Sequence, residues 1–149
     1  MFMGEYHHTI DDKGRLTIPS KIRFQLGTNF IVTRGLDNCL FIYPSIEWSK
    51  VIDKYKELPN TKDARKFMRF FLSGATESDF DKQGRVNISQ PLIEFASLKK
   101  DCVVIGVNDH LEVWDKDNWN KFIKDNEADL SDIADNLFSG DLNAWKCTT

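Results

Sequence analysis

Ile10-Asp11-Asp12-Lys13-Gly14-Arg15-Leu16-Thr17-Ile18-Pro19 is answered, at an offset of 70, by Phe80-Asp81-Lys82-Gln83-Gly84-Arg85-Val86-Asn87-Ile88-Ser89. Both stretches read apolar-Asp-x-x-Gly-Arg-apolar-polar-Ile. Outward from them the likeness continues. Gly35-Leu36-Asp37-Asn38-Cys39-Leu40-Phe41-Ile42-Tyr43 parallels Gly106-Val107-Asn108-Asp109-His110-Leu111-Glu112-Val113-Trp114, and Trp48 parallels Trp119, now at an offset of 71. A tandem duplication at this period decides the architecture before any single element is read.

Each copy carries the same order of elements. A stretch near residues 6–11 is extended. Asp11 to Gly14 has turn composition, with glycine available for positive φ. Arg15-Leu16-Thr17-Ile18 alternates as a half-buried strand does. Pro19-Ser20 opens a short helix, Lys21 to Leu26, ended by Gly27. Strands at Phe30–Thr33 and Cys39–Tyr43 flank a turn at 35–38. A helix then starts at Pro44-Ser45, with Ile46, Val51, Ile52 and Tyr55 read as inward. In the second copy the turn is Asp81–Gly84. The strand is Val86–Ile88 and the short helix Pro91–Leu98, its start expected to shift because Ser89-Gln90-Pro91 replaces Pro19. Strands follow at Cys102–Val107 and Leu111–Trp114, then a helix from Asp115 carrying Trp119, Phe122 and Ile123.

Between the copies, Thr61 is placed to cap a helix. Ala64, Phe67, Met68, Phe71 and Leu72 form its apolar stripe. Lys62, Arg65, Lys66 and Arg69 form a solvated basic face. Leu130, Ile133, Ala134, Leu137 and Phe138 repeat the stripe spacing among acids. The expected organisation is a first repeat at 5–57, a connecting amphipathic helix at 58–74, a second repeat at 76–124 and an acidic tail at 125–149.

The repeated turn is the candidate site. Asp11 and Asp81 can accept hydrogen bonds from turn N–H groups or from their own arginine. Gly14 and Gly84 let the chain reverse. Arg15 and Arg85 then stand at rigid strand ends, where a guanidinium suits guanine O6/N7 or a phosphate. Lys13 and Lys82 add phosphate contacts. A purely structural Asp–Arg clamp that holds a hairpin is the competing reading, and duplication does not choose between them.

These residues resemble the MraZ family, small bacterial proteins with two tandem SpoVT/AbrB-type motifs. The marks are Met3-Gly4-Glu5-Tyr6 with His8-Thr9-Ile10-Asp11, then Asp11-x-x-x-Arg15 with Ile18-Pro19. Leu40-x-x-Tyr43-Pro44-x-x-x-Trp48, Phe70-Phe71-x-Ser73-Gly74-Ala75 and Asp81-x-x-x-Arg85 follow. The likeness covers roughly residues 1–140. It implies an α+β fold with a mainly β core, a duplicated AbrB-like swapped-hairpin β-barrel with flanking helices. It also implies ring-shaped homo-oligomers. The implied function is transcriptional regulation, by repression of the chain's own division and cell-wall operon. The partner would be double-stranded promoter DNA with short direct repeats, met at Lys13, Arg15, Lys82 and Arg85. Asp11, Gly14, Asp81 and Gly84 would structure the turns.

Composition narrows the alternatives. The chain has 149 residues, 41% of them apolar and 29% charged, enough for a packed core. Net charge is −3, but residues 1–70 carry +4 (12 bases, 8 acids) and residues 71–149 carry −7 (8 bases, 15 acids). An acidic total does not announce a nucleic-acid binder. It permits one whose basic groups are gathered on one face. Cys39, Cys102 and Cys147 have no C-x-x-C spacing and read as free thiols. Met1–His8 have neither a basic nor an apolar leader region, and no run is long enough to span a bilayer. We therefore expect a cytoplasmic, nucleoid-associated protein with no membrane partner.

No G-x-S-x-G, Walker loop, H-E-x-x-H or G-x-G-x-x-G occurs, so no catalysis and no cofactor is expected. An Asp12/Asp81 carboxylate pair is disfavoured because each lies beside an arginine. His7 and His8 are adjacent and point apart on a strand, and His110 stands alone, so no metal site is expected. Trp48, Trp114 and Trp119 are read as core or subunit interface. A non-enzymatic oligomeric scaffold is the remaining alternative function.

Overall fold

A computed structural model describes residues 1–139 of the chain. Two compact units emerge, Met1–Lys116 and a second beginning at Asp117. The first holds strands β1 (Glu5–Thr9), β2 (Arg15–Thr17), β3 (Phe30–Arg34), β4 (Leu40–Pro44), β5 (Thr76–Ser78), β6 (Arg85–Asn87), β7 (Asp101–Val107) and β8 (His110–Asp115). Its helices are α1 (Ser20–Leu26), α2 (Ser45–Lys56), α3 (Lys62–Ser73) and α4 (Gln90–Ala96). The second unit holds most of α5 (Lys116–Asn126), a 3₁₀ turn at Glu127–Asp129, and α6 (Leu130–Leu137). Within it Trp119 stacks on Phe122 with centroids 5.6 Å apart. None of the described helices is long and apolar enough to cross a membrane.

The fold is mixed α+β, with antiparallel strands throughout. Six strands form one sheet in the order β1-β7-β8-β4-β3-β5, and β2 and β6 form a separate two-stranded ribbon. The sheet has ends at β1 and β5, so its hydrogen bonding does not close into the barrel that the family resemblance implies. The pairings cross between the copies. β1 of the first copy lies on β7 of the second, with Tyr6 opposite Val104. β5 of the second lies on β3 of the first, with Ile31 opposite Glu77. β4 meets β8, and β2 meets β6 with Leu16 opposite Val86.

One core serves both copies. Leu16, Ile18, Val86 and Ile88 of the ribbon are buried in the same cluster as Val32, Ile42, Val104 and Val113 of the sheet. The period-2 pattern therefore turns the ribbon's polar residues outward. Cys39 and Cys102 are free and buried, and burial pushes the Cys102 thiol up to about 12, with Asp115 and Asp101 adding to the shift. Cys147 lies outside the described residues.

Three local expectations are corrected. Ile46 is exposed rather than inward. The half-buried face of α2 is set by Trp48, Val51, Ile52 and Tyr55, at i, i+3, i+4 and i+7, and Ile46 falls on the opposite side at ~100° per residue. Leu72, at the edge of the α3 stripe, is 40% exposed, while Phe71 beside it is buried. The second short helix does not shift. α1 and α4 each span seven residues at the same offset of 70. Pro19 (φ −55°, ψ 140°) and Ser89 (φ −67°, ψ 153°) share one extended backbone state before the helix. Pro91 falls within the first turn of α4, where the missing N–H breaks no helical bond. Thr61 caps α3 as expected, its Oγ1 accepting from the Ala64 amide at 3.2 Å.

Candidate nucleic-acid interface

Each turn is built by one aspartate. Asp11 Oδ1 accepts from the amides of Lys13 (3.0 Å) and Arg15 (2.9 Å), and Asp11 Oδ2 accepts from Arg15 Nε at 2.7 Å. Asp81 repeats this with Gln83 (2.8 Å), Arg85 (2.9 Å) and Arg85 Nε (2.9 Å). These amides, that of the arginine first, hold both carboxyls below the usual carboxylate range despite an opposing desolvation. Both aspartates are therefore ionised at neutral pH, and both clamps are closed.

The glycines make the geometry possible. Gly14 and Gly84 sit at φ +80° and +75°. Their carbonyls accept from the opposite copy: Ile88 N–H to Gly14 at 2.7 Å and Ile18 N–H to Gly84 at 3.3 Å. A Cβ on Gly14 would lie 2.6 Å from the Ile88 carbonyl oxygen. A Cβ on Gly84 would run into the Arg23 guanidinium, which is itself held by the Ile18 carbonyl at 2.8 Å.

The two turns meet because β2 pairs with β6. The register sets Arg15 opposite Asn87 and Thr17 opposite Arg85. All four lie on the face away from Leu16 and Val86. Lys13, Arg15, Asp79, Asp81, Arg85 and Asn87 line one open depression of about 330 Å³. Lys13 and Lys82 are exposed, and the arginine side chains keep 36% (Arg15) and 23% (Arg85) of their surface in solvent. Asp11 Oδ2 also approaches Arg85 Nη1 at 3.7 Å, linking the copies. Among the described residues no hydrogen bond engages the Nη nitrogens of Arg15. The structural clamp is present in both turns. The aspartate takes Nε, and the outer edge of the fork faces outward.

The family model described as "MraZ protein, putative antitoxin-like" matches the chain twice, over residues 1–70 and 71–140. The chain belongs to the MraZ family. The two matches divide the chain where the offset of 70 divides it, one D-x-x-G-R turn to each MraZ repeat. Sequence reasoning passed over Thr17 and Asn87. Their signal is the i, i+2 spacing from Arg15 and Arg85, which gains meaning only once β2 is seen beside β6. Among the described residues no three His, Cys, Asp or Glu side chains gather as a metal site.

Proposed function

We propose that this MraZ-family chain is a sequence-specific double-stranded DNA-binding transcriptional regulator that represses its own division and cell-wall operon through short direct repeats. The observation that carries this reading is the outward face of the β2–β6 ribbon, where Arg15 and Arg85 from two repeats lie diagonally across the strand pair, each braced by an aspartate. A two-stranded ribbon fits the major groove, and a braced guanidinium matches guanine O6/N7. Lys13 and Lys82 are exposed in the two turns, which leaves both free to add phosphate contacts.

Bare electrostatics are weak here. Lys13, Arg15, Lys82 and Arg85 stand among Asp11, Asp12, Asp79 and Asp81, so the face is close to neutral. A single chain therefore binds weakly and with a shallow salt dependence. Several copies in a ring, meeting repeats at matching spacing, gain about 10²–10⁴-fold by avidity. Within one chain, the exchange of β1 and β5 between the two repeats supports a swapped-hairpin arrangement. Exposed Phe24 on α1 offers apolar surface for self-association.

The test is binding of the full chain to the duplex immediately upstream of its gene, against a scrambled duplex, over a salt series. Arg15→Ala with Arg85→Ala is expected to lose about 10²-fold or more of the preference while keeping its fold and oligomeric state. A folded double variant that discriminates as well as wild type would leave the non-enzymatic scaffold as the better account.

A further inference from the structure

The ribbon has two unlike ends. The repeat equates Arg15 with Arg85 and Thr17 with Asn87. The first pair is identical and the second is not. Cross-strand register sets Arg15 opposite Asn87 and Arg85 opposite Thr17. One end thus presents a guanidinium beside a carboxamide. The other presents a guanidinium beside a hydroxyl and a methyl group.

Asn87 has the marks of a group kept for contact rather than packing. It is exposed, and among the described residues its carboxamide makes no hydrogen bond. Its neighbours Val86 and Ile88 supply the burial. Asparagine is also among the residues depleted in strands. Asn87 lines the same depression as Arg15 and Lys13.

We propose that Asn87 is a base-reading residue, and that its mismatch with Thr17 makes each chain read an asymmetric DNA element rather than a palindrome. A carboxamide pairs bidentately with adenine N6/N7, a guanidinium with guanine O6/N7, and a threonine methyl packs on the thymine methyl. The Arg15–Asn87 end therefore selects guanine with adenine, and the Arg85–Thr17 end selects guanine with thymine. A symmetric reader suits inverted half-sites. A reader with unlike ends suits elements repeated in one orientation. The inference rests on the DNA-binding reading above.

The full chain is offered a pool of duplexes randomised over the contacted window, and the retained species are sequenced. Wild type is expected to retain an oriented motif. Asn87→Ala should lose about 5- to 100-fold of preference at one base position, with the other positions and the salt slope unchanged. Asn87→Gln should keep adenine there. Asn87→Thr, which makes the two ends alike, should retain a motif whose halves are inverted copies. Thermal melts of each variant accompany the selection. Unchanged preferences in Asn87→Ala, or equal weakening on every duplex, would overturn the inference and leave the DNA-binding reading standing. An Asn87→Ala chain unfolded at the assay temperature would count against it by giving Asn87 a structural role. A wild-type chain that retains no motif at all would sink both readings.

Discussion

Asp11 and Asp81 act by holding a long, flexible side chain still. Each grips its arginine at Nε and orders the turn amides with the other oxygen. Rotamer entropy that would oppose binding is thereby lost on folding instead. Asp81→Ala should leave Arg85 charged and without its Nε brace, with only Asp11 Oδ2 nearby at 3.7 Å from Nη1. We expect weaker sequence preference with little change in non-specific binding, read by competition against random duplex. Gly14→Ala is the sharper test of backbone geometry, because positive φ and the Ile88 carbonyl oppose it together. Its cost should be about 1–3 kcal/mol in urea unfolding. Gly84→Ala meets the same φ, but the atoms it strikes belong to the movable Arg23 side chain.

At the scale of elements, Arg34 fastens α3 to the sheet. From β3 its Nη1 donates to the Phe70 carbonyl and to Ser73 Oγ, both at 2.8 Å, in the last turn of α3. Its guanidinium also lies over the Phe70 ring, 5.3 Å from the centroid. Next to it, buried Thr33 donates to the Phe71 carbonyl at 2.6 Å. These bonds satisfy carbonyls that a helix end leaves open. Arg34→Ala should cost about 1–3 kcal/mol and lower hydrogen-exchange protection in α3 first.

His110, on β8, is one group that couples stability to pH. It packs between Phe41 and Tyr43 of β4, with Asp109 at 2.7 Å from Nδ1 and Glu112 at 3.8 Å from Nε2. Glu112 is too far for a hydrogen bond and acts as a nearby charge; buried Nε2 has no acceptor among the described residues. Burial pulls the imidazole pKa down, but the two carboxylates more than offset it, and the net shift is upward. A raised folded-state pKa means stabilisation fully present below the ordinary imidazole value. That stabilisation is lost as pH rises through the folded value. Tm should therefore fall from about pH 6.5 upward. His110→Gln should flatten that slope.

The whole molecule depends on the copies completing each other. β1, β2 and the β3 edge all pair with strands of the second repeat. Leu16 and Val86, opposite each other and fully buried, sit beneath the ribbon. Leu16→Ala should cost about 2–5 kcal/mol and disturb both turns together. Residues 1–70 alone leave β1, β2 and the outer edge of β3 unpaired. As a monomer this half should show no cooperative thermal transition, whereas residues 1–116 should unfold in one step, both read by circular dichroism.

The sequence by itself determined the repeat, the order of elements within it and the chemistry of the turn. Those properties are local: a glycine at positive φ, an aspartate within reach of its own amides, and a two-residue alternation that buries Leu16 and Val86. It misjudged Ile46 and the start of α4, because helix faces are fixed by what they pack on and a proline fits the first turn without moving it. Only the tertiary structure decided that the two turns form one face. Placing Asn87 beside Arg15 requires pairing strands about 70 residues apart. No local preference carries that information; burying the apolar residues of both ribbon strands in one shared core does.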